Sequence, residues 1–345
     1  MSACIPFEIQ GEIMKKFPVK SLIRFRSVSK QWKSLINSSE FITDHSINQT
    51  QPHHLLIKYT AYSKDKYVSI VDDDSSRHHK FSPAVPSTVK PLWHPSVLGC
   101  SHGLVSLLVR SKGLIVFWNP SIRKSVDIVL PEGNYAFVFG VCPKTFDPKI
   151  VKFSRTNEAE VFTLSSGAWR SISMNLRPPH ESLRFRAGNT VVIDGVIHRI
   201  NYDYEFECHH RIITYDLTSD EFEEVDLPEG LQSRKNLDIS KLKESVVVLE
   251  YYYAMEQVCD IWMMLKNGVP KSSFTKLFSV NVVLHSIIGF RKNGQLILGG
   301  GGELKVYEPG SEHMNSLGIY GWHFKVASYT ESLLLLNHPE VTKTT

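Results

Sequence analysis

A strand–turn–strand unit recurs six times along this chain, and a recurrence of that length leaves few architectures open. Val116–Ser121 leads into Val126–Pro131, Val161–Gly167 into Trp169–Ile172, and Ile213–Ser219 into Phe222–Pro228. Asp260–Met264 and Lys305–Pro309 repeat the first strand, and Ser69–Asp72 is a weaker copy. Taking Ile70, Trp118, Phe162, Tyr215, Trp262 and Tyr307 as equivalent gives steps of 48, 44, 53, 47 and 45 residues. A period of about 45–50 is that of four-stranded propeller blades. The spacing predicts an all-β propeller of six blades. Thr190–His198 supplies two further strands around an Asp194-Gly195 turn.

A propeller left open would expose a sheet edge. Phe324–Tyr329 and Ser332–Leu336 read as strands with no later blade to join. They are therefore expected to complete the first blade, beside the strands near Leu55–Tyr62.

Before residue 50 the period is helical. Pro6 suits a first helical turn, and Ile9 and Ile13 follow one turn apart. Pro18 disfavours helical geometry at Phe17 and starts a second helix with Leu22, Ile23 and Phe25. Ser29 can cap a third helix carrying Trp32, Leu35 and Ile36. The segment reads as three short helices and a tail, with Gly11 an unfavourable residue in the first. Some forty residues rarely bury enough surface to fold alone. These carry about ten large apolar side chains, each worth roughly 1.5–3 kcal/mol on full burial. Either the larger domain or a partner protein must cover them. Residues 1–45 also hold seven Lys/Arg against four Asp/Glu, so most of the chain's +4 sits there. That charge either steers an acidic partner or is a solvated face.

The run Ile5-Pro6-Phe7-Glu8-Ile9, Glu12-Ile13-Met14 and Phe17–Trp32, continuing through Leu35-Ile36 to Phe41-Ile42, closely resembles the F-box motif. Residues 95–337 resemble the F-box-associated, kelch-like domain of a large plant family. Gly103-Leu104-Val105, Trp118-Asn119-Pro120, Asp147 with Lys149–Val151, Gly195–His198, Asp260–Met263 and Glu331–Leu333 carry that likeness. The resemblance implies an F-box at 1–45, a linker at 46–54, the propeller at 55–337 and a tail at 338–345. It further implies binding of a Skp-family adaptor, and through it cullin and RING subunits. The expected contact residues are Ile5, Pro6, Ile9, Ile13, Phe17, Pro18, Leu22, Val28 and Trp32, some of which, Trp32 especially, are suited instead to the module's own core. The chain would then recruit a target protein to an SCF-type ubiquitin ligase. A scaffold that binds the adaptor outside a ligase is the alternative, and a propeller enzyme a remote one. The propeller residues that hold the target, and the target itself, are not readable.

Other chemistry finds little support. Gly299–Gly302 lacks the Gly-Lys-Ser/Thr ending of a phosphate loop and reads as a hairpin turn. The pairs His53-His54, His78-His79 and His209-His210 point to opposite strand faces, and Cys208 lacks further ligands at metal spacing. Asp72-Asp73-Asp74 reads as a solvated loop. Ser101 and His102 are a nucleophile–base pair only in name, since sequence neighbours rarely meet in that geometry. Cys4, Cys100, Cys142, Cys208 and Cys259 show no C-x-x-C and are expected to be reduced thiols. No cysteine stands out as a ubiquitin acceptor. The chain is expected to use no cofactor or metal and to perform no catalysis of its own. Its charge does not call for nucleic acid, no apolar run reaches a membrane span, and the first residues lack a signal-peptide layout. A cytoplasmic or nuclear location follows as the expectation.

Overall fold

The computed structural model describes residues 5–47, 53–72, 80–89, 95–133, 135–153, 158–174, 176, 183–184, 190–203, 210–234, 236–253, 257–265, 273–282 and 285–338. Cys4, Asp73, Asp74, His78, His79, Cys208, His209 and the tail beyond 338 lie outside them.

Four helices come first: α1 (Phe7–Met14), α2 (Val19–Phe25), α3 (Lys30–Ile36) and α4 (Ser39–Ile47). The expectation of three helices and a tail is corrected by α4. Ser38 Oγ accepts from the Phe41 N–H at 3.2 Å, and Phe41, Ile42 and His45 bury one face of the helix. That cap and that stripe meet both local requirements of a helix.

The β region holds six sheets. The first opens with β1 (His54–Ala61) and β2 (Lys64–Val71). The second is β3 (Ser96–Ser101), β4 (Leu104–Val109), β5 (Leu114–Asn119) and β6 (Lys124–Val129), and the third β7 (Ala136–Val141), β8 (Pro148–Phe153), β9 (Glu158–Thr163) and β10 (Ala168–Ser173). The fourth contains β11 (Leu183–Arg184), β12 (Val191–Ile193), β13 (Val196–Asp203), β14 (Arg211–Asp216) and β15 (Phe222–Asp226), with β11 and β12 both on β13. A short helix, α5 (Glu229–Gln232), precedes the fifth: β16 (Leu237–Leu242), β17 (Ser245–Tyr253), β18 (Gln257–Met264) and β19 (Phe274–Asn281). The sixth is β20 (His285–Phe290), β21 (Leu296–Gly300), β22 (Glu303–Glu308) and β23 (His313–Tyr320). Finally β24 (Trp322–Tyr329) joins β1, so the first sheet runs β2-β1-β24 and draws on both ends of the chain.

This is a six-bladed β-propeller. Counting β24 as first in its sheet, Ile70, Trp118, Phe162, Tyr215, Trp262 and Tyr307 each lie on a third strand. The equivalence rests on packing. Trp118 and Tyr215 are buried and join inter-sheet clusters, Trp118 with Leu56 and Tyr67, Tyr215 with Val138 and Ile197. Leu249, Ile261, Ile287 and Leu298 form another such cluster. The Asp194-Gly195 turn joins β12 to β13 as expected, both residues at positive φ (50° and 78°).

The chain divides into two compact units. One comprises residues 1–57, 67–132 and 327–345, so the helices group with the β3–β6 sheet and the C-terminal segment. The other comprises residues 58–66 and 133–326.

Ser332–Leu336 is not the strand expected of it. The segment is turn, closed by Leu336 N–H on the Leu333 carbonyl at 3.0 Å, with Leu335 at φ +71°. All four leucines from Leu333 to Leu336 are buried, which an alternating strand with one solvated face would not do. Its other carbonyls are met largely by side chains and not by a ladder. Asn119 Nδ2 donates to Ser332 and Leu334, and Lys124 Nζ to Leu336 and His338.

Ser101 and His102 depart from expectation as well, since Ser101 Oγ lies 3.0 Å from His102 Nδ1. His102 sits at φ +48° in the turn between β3 and β4, which brings the ring back towards its neighbour. Ser101 is buried, so its hydroxyl serves the turn and offers no open approach to a substrate. Cys100, Cys142 and Cys259 carry free thiols, and burial pushes those of Cys100 and Cys259 up to about 12. Among the described residues no group of three His, Cys, Asp or Glu is placed to hold a metal, and no helix is long and apolar enough to cross a membrane.

Candidate functional site

The helical module is organised by its proline and serine caps. Pro6 and Pro18 precede α1 and α2 in extended conformation (ψ 147° and 148°), where their missing N–H groups cost nothing. Ser29 Oγ accepts from the Trp32 N–H at 3.1 Å and caps α3. Gly11 is buried, and a Cβ placed on it would stand 3.5 Å from Leu35 Cδ2, so α1 and α3 approach closely there.

Interlocking contacts then hold the helices. Trp32 Nε1 donates to Gln10 Oε1 at 2.9 Å, and Gln10 Nε2 donates to the Ile5 carbonyl at 2.7 Å. The residues before α1 are thereby tied to α3. Phe25 stands edge-on between Phe17 and Trp32, with centroid distances of 5.3 and 5.5 Å. His45 Nε2 lies 3.0 Å from the Phe17 carbonyl, and burial holds its imidazole below the usual histidine range despite that bond. Neutral His45 therefore donates to Phe17. The buried set is Met14, Val19, Leu22, Ile36, Phe41 and Ile42.

A second set of apolar residues is left facing water. Ile5 is 52% exposed, Ile9 50%, Ile13 44%, Phe17 37% and Val28 62%. Pro6 and Pro18 are exposed too. Ile9 and Ile13 share a helix face, and Ile5 and Pro6 extend it towards the chain's start. Five greasy side chains this open within 24 residues are more than single scattered surface residues.

The expected contact residues thus divide. Leu22 is fully buried and packs in the module's own core. Trp32 is half-buried, with its ring edge on Phe25 and its N–H committed to Gln10. Ile5, Pro6, Ile9, Ile13, Phe17, Pro18 and Val28 are open. Phe7, 38% exposed, belongs with them and was missed. Its place two residues before Ile9, in the same apolar run, was the available signal.

The basic residues divide similarly. Lys15 Nζ bridges Asp44 at 2.6 Å and Glu12 at 2.7 Å, and those two carboxylates raise its pKa. Its charge is met within the module. Lys16, Lys20, Arg24, Lys30 and Lys33 are exposed, and they supply the module's outward positive charge.

Comparison with known proteins adds two family matches. The F-box domain matches residues 3–44, and the F-box associated beta propeller domain matches residues 41–319. Among Arabidopsis thaliana proteins, F-box protein CPR1 is 28% identical over 318 residues, covering 81% of this chain and 73% of that one. F-box protein At2g21930 is 28% identical over 241 residues, covering 64% of this chain and 60% of its own length. F-box/kelch-repeat protein At3g23880 is 25% identical over 304 residues, 80% of this chain and 79% of that one. The chain spans 60% of the length of relatives such as At2g21930 and At1g47790.

Proposed function

This chain belongs to the plant F-box proteins that carry an F-box-associated β-propeller, and from that membership we propose that it is the substrate-recruiting subunit of an SCF-type ubiquitin ligase. The F-box would dock on a Skp-family adaptor, which links it to cullin and RING subunits. The propeller would hold a target protein. Its contribution to ubiquitin transfer would be proximity, raising the effective concentration of a target lysine near a charged conjugating enzyme. No catalytic group of its own is required, and the protein would work in the cytoplasm or nucleus.

One observation carries this reading. The module closes a core of its own and still leaves Ile5, Ile9, Ile13, Phe17 and Val28 open to water. Covering half-open side chains of this size contributes roughly 1 kcal/mol each, enough in sum for a specific protein contact. Pro6 and Pro18 stiffen the chain beside them, which lowers the ordering cost of docking. The exposed lysines and arginine favour a partner with acidic surface.

The test is capture of a purified Skp-family adaptor by the full chain. Wild type should bind. An Ile9→Asp, Ile13→Asp double variant should lose at least a hundredfold in affinity while melting at the same temperature, because both side chains already face water. Adaptor binding unchanged by that variant would refute the docking face. Reconstituted ubiquitination assays separate the ligase subunit from an adaptor-binding scaffold, since the scaffold would transfer nothing.

A further inference from the structure

The second compact unit exposes three aromatic residues at neighbouring backbone positions. Tyr62 is 93% exposed, Tyr320 63% and Trp322 62%. Tyr62 tips the β1–β2 hairpin; Tyr320 ends β23 and Trp322 begins β24. Their nearness follows from Gly321 between the last two. Its N–H donates to the Gly302 carbonyl at 2.9 Å, and a Cβ built on it would fall 2.4 Å from the Thr60 carbonyl oxygen. Gly321, at φ +158°, is thus pressed against the end of β1, two residues before Tyr62. The Trp322 indole lies beside Gly302, 3.5 Å from where a Cβ would be. Tyr320 pairs in register with Glu303, the next residue. Gly302, the last residue of the run that reads as a hairpin turn, therefore lies under the Trp322 indole.

The fully exposed charge around the rings is basic. Lys64, Lys66 and Lys325 are exposed, and the Lys66 ammonium stands 5.3 Å from the Tyr62 ring centroid. The nearby carboxylates are engaged: Asp65 pairs with buried Lys58 at 3.3 Å, and Glu303 accepts from Ser316 and from the Tyr320 hydroxyl and pairs with Lys305 at 3.6 Å. Open aromatic rings are costly on a monomer and enriched where partners anchor, and an apolar anchor within a like-charged rim selects its opposite.

We propose that Tyr62, Tyr320 and Trp322, with Lys64, Lys66 and Lys325 at their rim, dock an acidic peptide segment of the recruited protein through an apolar anchor residue. This rests on the reading of the chain as a recruiting subunit, and it names the chemistry of the target. The rings supply anchoring area and the lysines supply attraction and register. Three lysines are few for tracking a nucleic-acid backbone, which favours a peptide.

The test uses fluorescence anisotropy on the full chain. The probe is a labelled dodecapeptide of glutamates around a central Phe-Leu pair; one control replaces the glutamates by lysines, the other the Phe-Leu pair by glycines. Wild type should bind the first saturably, weakening with added salt. Affinity should fall at least tenfold for either control, for a Tyr320→Ala, Trp322→Ala variant and for Lys64→Ser, Lys66→Ser. Both variants alter only exposed side chains, and an unchanged melting temperature verifies their folding. Absent binding to wild type, equal binding to the variants, or tighter binding of a dodecameric oligothymidylate would each overturn the proposal. So would a wild-type dimer that dissociates on Tyr320→Ala, Trp322→Ala, which would assign the rings to a second copy. Adaptor capture by the same preparations reports separately: peptide bound without adaptor removes the ligase reading and keeps this surface, and adaptor captured without peptide does the reverse.

Discussion

The side-chain amide of Asn119 donates to the carbonyls of Ser332 and Leu334, at 2.9 and 2.8 Å, across more than two hundred positions of sequence. Asn119 ends β5 and is fully buried, and its Oδ1 accepts from the Ser121 N–H at 3.0 Å. One side chain thus holds both the turn after β5 and the C-terminal segment, whose Asn337 in turn donates to Ser39 of the helical module at 3.1 Å.

Asn119→Ala leaves two buried carbonyls without donors. It should destabilise the fold by about 2–4 kcal/mol, read as a lower urea midpoint. Asn119→Asp should do at least as much harm, because a carboxylate accepts and cannot donate. Removing residues 330–345 should cost more than either, since Leu333–Leu336 leave with it. A truncated chain melting like wild type would show that this segment holds nothing.

Gly11→Ala should raise stability. The residue is mid-helix, its new Cβ would meet Leu35 Cδ2 at ordinary contact distance, and alanine is about 1 kcal/mol better in a helix interior. Chemical denaturation should register a gain near that size. A loss would mean that α1 and α3 need the closer approach glycine allows.

His45 should make the helical module acid-sensitive. Burial lowers its pKa in the fold below the ordinary 6.5, so the unfolded chain takes up a proton at higher pH than the folded one. Its contribution is complete above about pH 6.5 and declines as pH falls towards the folded value, by up to about 1.4 kcal/mol per unit. His45→Gln should reduce stability at pH 7.5 and narrow its deficit against wild type by pH 5.5. A deficit constant over that range would contradict a neutral buried imidazole.

Lys58 and Asp65 form a buried ion pair across the β1–β2 hairpin, and Thr60 Oγ1 donates to the same carboxylate at 2.8 Å. Asp65→Asn should cost about 3–5 kcal/mol, because burial already lowers the Lys58 pKa and Asp65 is the charge that opposes it. Adding Lys58→Met should recover most of that loss in thermal melts. Equal damage from the single and double variants would show that the unpaired Lys58 charge is not what the loss costs.

Much of the fold was legible because its determinants are local. Pro6, Pro18 and Ser29 mark helix starts through their own φ and hydrogen-bonding capacity, and the Asp194-Gly195 turn announces itself through tolerance of positive φ. The six equivalent positions were found because each blade repeats one packing problem and answers it with a large side chain on its third strand. The fourth helix is less legible, because its cap, Ser38, and its Phe41-Ile42-His45 stripe fall in a short segment whose apolar face shows only once it packs.

Sequence alone therefore determined the blade period, the helical module ahead of it, and the excess of apolar side chains in that module. Tertiary structure decided which of those side chains reach water. Ile13 and Leu22 are alike in chemistry and both sit in short helices, yet one is 44% exposed and the other sealed. It also decided that Ser332–Leu336 turns instead of pairing, because Asn119 and Lys124 arrive to take its carbonyls. Side-chain type and spacing act over a few residues, whereas burial and hydrogen-bond partners depend on which distant element packs alongside.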